Sequence, residues 1–126
     1  MKPETTEWVQ KAEGDMNTAQ REFAVLEEPN LDAVCFHAQQ CSEKYLKARL
    51  IEEGLPVVRT HDLEILLNQL LPFEAVLADL LQAVRILSAM AVEVRYPGMA
   101  ADEDDAAEAL RSSEKIRNAI RSSLSL

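Results

Sequence analysis

The chain has 126 residues and a formal net charge of −9; 48% of its residues are apolar, with three Gly and two Cys. That length fits one domain over residues 1–126 with a core of its own, and the apolar share excludes disorder. The acidic balance excludes a broad nucleic-acid face, DNA above all, because phosphate contacts need clustered Lys and Arg; a small local basic site is still allowed.

No apolar run reaches the length of a membrane span, and Met1-Lys2-Pro3-Glu4 lacks a signal peptide's apolar stretch. A cytoplasmic protein without membrane contact is expected. Few aromatics and abundant Ala and Leu favour helices, so the fold class read from the sequence is all-α.

Trp8, Ala12, Met16, Ala19, Phe23 and Leu26 recur at steps of three and four. They predict a first helix from about Glu4 to Glu27 with one buried stripe. Pro29 follows, and Asn30 is placed to cap a second helix over Leu31–Glu53, which Gly54 stops. Val34, Ala38, Cys41, Tyr45 and Ala48 cover one flank of this helix, and Cys35, Leu46 and Leu50 another. More than half of its circumference is apolar, which makes it the central helix. Its polar arc carries Asp32, Gln40, Glu43 and Lys47, with His37 and Lys44 at the boundary.

A third, short helix is expected to begin at Thr60 as its cap and to end before Pro72. Pro72 suits the first position of a fourth helix, where its missing N–H costs nothing. That helix should carry Val76, Leu77, Leu80, Leu81, Val84 and Leu87 to the core and stop near Val94, ahead of Pro97-Gly98. Asp102 can cap the last helix, whose face is Ala106, Ala109, Leu110, Ser113, Ile116, Ile120 and Leu124. Its Ser-rich end is expected to fray. The sequence shows no strand-like alternation, repeat or internal boundary. An antiparallel, up-and-down bundle of four to five helices follows.

Cys35 and Cys41 lie six apart on one helix, about 120° around it at roughly 100° per residue. They cannot pair and suit no metal site; both read as small buried residues in a reducing compartment. Consecutive carboxylates at Glu103–Asp105 diverge around a helix, so they too give no metal site. No nucleophile elbow and no Gly-rich phosphate loop is present, and no cofactor is implied.

Three polar groups stand out. His37 and Lys44 read either as a satisfied His with a Lys reaching out from the core edge, or as an anion contact. Arg59, His61 and Asp62 read as a helix start, with His61 free to pack on helix two. Arg95-Tyr96-Pro97 ends a helix, and the planar fork of Arg95 also suits a phosphate.

The block from Phe36 to Ala48 (FHAQQCSEKYLKA), then Gly54, then His61-Asp62-Leu63, then Arg95-Tyr96-Pro97 resembles the HEPN-domain family in order and spacing. The likeness extends over nearly the whole chain from Trp8. It implies a helical bundle, a homodimer, a groove for nucleotide or RNA, and association with a minimal nucleotidyltransferase in a toxin–antitoxin type of system. Arg95, His37, Gln40 and Lys44 become the nucleotide or phosphate candidates, with Lys47, His61, Asp62 and Tyr96 as secondary or structural ones.

Many members resemble metal-independent ribonucleases with an Arg followed after four to six residues by His. Here Arg95 is followed at those positions by Ala100, Ala101 and Asp102, and no His occurs after His61. The proton-transfer group of that chemistry is missing. A non-catalytic nucleotide-binding or partner-binding module is therefore expected. The alternatives are a weak ribonuclease that uses another group and a structural dimer without a small ligand.

Overall fold

Five α-helices and one short 3-10 helix make up the computed structural model, which describes residues 1–93 and 97–126; no strand occurs among them. The helices are α1 (Pro3–Phe23), α2 (Leu31–Glu53), α3 (Leu63–Leu70), α4 (Leu81–Glu93) and α5 (Glu103–Ser123). α2 is central, as its wide apolar arc requires, and it touches each of the other four. Val34, Ala38, Cys41, Tyr45, Leu46, Ala48 and Leu50 on α2 are fully buried.

Side-chain pairs set the chain directions. Lys2 meets Glu52 and Asp15 meets Lys44, so α1 and α2 run antiparallel. Ser113 donates to the carbonyl of Ala38, and Arg49 reaches Ser123, so α5 runs alongside α2 in the same direction. Small residues let those two axes approach closely: the Ser42 and Ser113 hydroxyls both lie within hydrogen-bond distance of the Ala38 carbonyl. The return stroke after α2 is a nonhelical loop over residues 54–62. α3 can thus run the same way as α2, until Glu74 reaches Arg49.

Local chemistry accounts for most of the boundaries. Asn30 caps α2 by accepting from the Ala33 N–H. Gly54 ends α2 with φ of 79°, a left-handed value that only Gly adopts without strain. Asp102 and Asp105 form a reciprocal capping box at the start of α5.

Four expectations need correction. α1 stops at Phe23, not Glu27: Leu26 is 97% exposed and has nothing to pack against, and Glu28 takes a positive φ before Pro29. α3 is capped by Asp62, which accepts from the Glu64 and Ile65 N–H groups. Thr60 instead accepts from the Asp62 N–H, one step upstream. Pro72 does not open a helix; a turn over residues 71–73 leads to a 3-10 helix over Ala75–Leu80 before α4 begins. With three residues per turn Leu77 and Leu80 align on the core side, and Val76 is left 69% exposed. Finally, α5 continues through Ser123, because the Ser123 hydroxyl is tied to Glu74 and Arg49. The expected end of the fourth helix near Val94, with Arg95 and Tyr96, lies outside the described residues.

Candidate functional site

A groove of about 1010 Å³ runs along the N-terminal half of α2. Its floor is the polar arc of that helix: Asp32 and Gln40 are half-buried, Gln39 is buried beneath the loop, and Phe36 alone is exposed. One wall is the loop before α3, bearing His61 and Asp62; the other is α4 at Ser88 and Ala91. Phe36 is the odd member, an aromatic ring 55% exposed on an otherwise polar face.

Gln39 and Gln40 form a short amide chain. Gln39 donates from Nε2 to the His61 carbonyl at 3.2 Å, and Gln40 donates to Gln39 Oε1 at 3.1 Å. This pins the loop to the helix and orients the Gln40 amide. His61 is held from behind by Glu43, 2.9 Å from Nδ1, while its side chain is 84% exposed. Glu43 is itself only 4% exposed, and its second oxygen takes Lys47 at 3.0 Å. Lys47 in turn lies over the Trp8 ring, 5.6 Å from its centre. A buried carboxylate is tolerable only with such partners. Glu43 and Lys47 were expected on a solvated arc; both are buried, because the loop and α1 cover that part of α2.

His37 and Lys44 belong to a different face. Both bind the same carboxylate, Asp15 of α1, with His37 Nδ1 2.8 Å from it. Neither lines the groove that Gln40 lines. The separation is angular: at roughly 100° per residue both fall about 40–60° around α2 from Gln40, toward α1. The three described candidates, Gln40, His37 and Lys44, are therefore not gathered in one pocket. Gln40, His61 and Asp62 line the groove, His37 and Lys44 are neutralised beside it, and Arg95 and Tyr96 lie outside the described residues.

The other described cations of the core are similarly committed. Arg117 forks onto Glu13 at 2.6 and 2.8 Å, which holds the Glu13 carboxyl below its usual range, and Arg121 joins the same carboxylate and Tyr45. At the N-terminal end of the groove the field is negative. Burial, reinforced by Asp105, Asp32 and Asp102, pushes the Cys35 thiol up to about 11. Cys35 and Cys41 are free and buried. Among the described residues no three His, Cys, Asp or Glu side chains gather as metal ligands.

Sequence reasoning missed Asp15 and Phe36. Phe36 carried a signal, since an aromatic residue between Asp32 and Gln40 interrupts a polar arc. Asp15 carried none, because its partners come from another helix.

A family model described as HEPN domain matches residues 5–123. The chain belongs to the HEPN family. Two solved structures share the HEPN-like bundle closely. The crystal structure of TT1696 from Thermus thermophilus is 27% identical, covers 96% of this chain and 98% of its own, and superposes with a TM-score of 0.84. The structure of ST0689, an archaeal HEPN homologue, is 26% identical, covers 98% of each chain and gives a TM-score of 0.76. No curated protein matches the chain. No helix among the described residues is long and apolar enough to cross a membrane.

Proposed function

We propose that this HEPN chain is a non-catalytic binding module, a single cytoplasmic domain over residues 1–126 acting as a homodimer. The same reading makes it the companion of a minimal nucleotidyltransferase in a toxin–antitoxin type of system. The observation that carries it is the groove on α2, where an exposed Phe36 stands among oriented amides and a fixed imidazole. Amides and an exposed ring of this kind suit recognition of a partner or ligand. The absence of a His after Arg95 supports the same conclusion.

A partner protein is the better supported occupant, since His37 and Lys44, beside the groove on α2, are both spent on Asp15. A nucleotide is the second reading. It is favoured by Phe36, on which a base could stack, and by the Gln40 amide beside it. In that reading Arg95 supplies the phosphate contact.

Two measurements test the proposal. Purified protein in EDTA should leave single-stranded RNA intact over a time in which a control ribonuclease degrades it. Cleavage that disappears in Arg95→Ala would refute the non-catalytic reading. A Phe36→Glu variant with an unchanged circular dichroism spectrum should no longer co-purify with a co-expressed minimal nucleotidyltransferase; full retention would remove the groove from partner binding.

A further inference from the structure

Several of the described polar groups of the groove present acceptors. Asp32 uses Oδ1 for the Ala101 N–H at 2.8 Å, and Asp62 uses Oδ1 to cap α3. In both carboxylates Oδ2 has no hydrogen-bond partner among the described residues. The Gln40 amide donates to Gln39, which leaves its carbonyl oxygen available. His61 meets the Glu43 carboxylate through Nδ1, so Nδ1 is the donor in that contact. The bond from Ala101 brings the acidic start of α5, Asp102 to Asp105, against the same end of α2.

Resting on the reading of this groove as a binding site, we propose that it receives an arginine-bearing segment of a partner protein. The guanidinium enters between the carboxylates of Asp32 and Asp62, and its plane lies on Phe36. The match is one of charge and shape. A guanidinium has five N–H donors and no acceptor, which complements a groove of carboxylate and amide oxygens. It also stacks on an aromatic face, and Phe36 is the exposed ring on this floor. A phosphate placed there would meet two carboxylates, inside a chain of net charge −9. Lysine would satisfy the charge but neither the fork nor the stacking.

The test uses the whole chain and follows backbone amide shifts on titration with N-acetyl-arginine amide, its lysine and citrulline counterparts, and the dinucleotide ApA. The arginine probe should shift Ala33, Phe36, Gln40 and His61, and bind at least threefold more tightly than the citrulline probe. Asp32→Asn and Asp62→Asn preserve the Oδ1 acceptors, and Asn also caps helices well, so both variants keep the fold. Each should weaken the arginine probe three- to tenfold. Equal response to arginine and citrulline, or unchanged binding in both Asn variants, overturns the proposal and leaves the groove as a binding site. A response of the same amides to ApA that is lost in Arg95→Ala also overturns it, in favour of the nucleotide. Silence toward all four probes overturns both the proposal and the reading it rests on.

Discussion

Individual side chains in this molecule are mostly spoken for by partners on other helices. Asp15 and Glu43 each hold an ammonium and an imidazole, and Glu13 two guanidinium groups. The roles of His37 and Lys44 were therefore only half legible: their place at the edge of the apolar arc is local, but the carboxylate that neutralises them arrives from α1. The burial of the cysteines was legible, since it follows from their flanks of α2. Burial pushes Cys41 up to about 12 and Cys35 to about 11. Below those values each thiol stays protonated, and the thiolate is the reacting species. Iodoacetamide at pH 8 should modify neither cysteine in the folded protein, and both within minutes in urea. Rapid labelling of the native chain would contradict the burial described.

Helices were legible wherever a stop or a cap is a local event. Asn30, Gly54 and the Asp102–Asp105 box sit where short-range chemistry puts them. The misplaced boundaries are those decided by packing. Leu26 continues the α1 stripe in sequence, yet no neighbour covers it. The segment after Pro72 winds as a 3-10 helix to seat Leu77 and Leu80, a choice that helical periodicity cannot express. Gly54 allows a direct measurement. An added Cβ would meet only the Lys2 ammonium at 3.7 Å, an ordinary contact, so the strain in Gly54→Ala is confined to the backbone at φ of 79°. A loss of about 1 kcal/mol in denaturant unfolding is expected. A stabilised variant would show that the left-handed turn is not kept.

For the molecule as a whole, HEPN domains often dimerise, and large apolar side chains away from the groove are left exposed, among them Ile65, Phe73 and Val76. Paired faces would cover such surface symmetrically. Light scattering at micromolar concentration should give twice the 14.1 kDa of one chain. A mass of one chain would count against the dimer. The bundle itself was legible because one wide apolar helix among single-striped ones has few other ways to be buried. The groove was not, because it exists only where a loop, α2 and α4 meet.

The N-terminus is fastened at the end of α2 farthest from the groove: Lys2 donates its backbone N–H to Glu52 and its ammonium to the Ile51 carbonyl, while Met1 stands half exposed. At about 1.5 Å per residue, the 20 residues from Asp32 to Glu52 span about 30 Å. A tether or dye attached ahead of Met1 therefore leaves the groove unobstructed. Immobilisation through that end presents Phe36 and its neighbours to solution, which makes it the attachment of choice for surface-based binding assays.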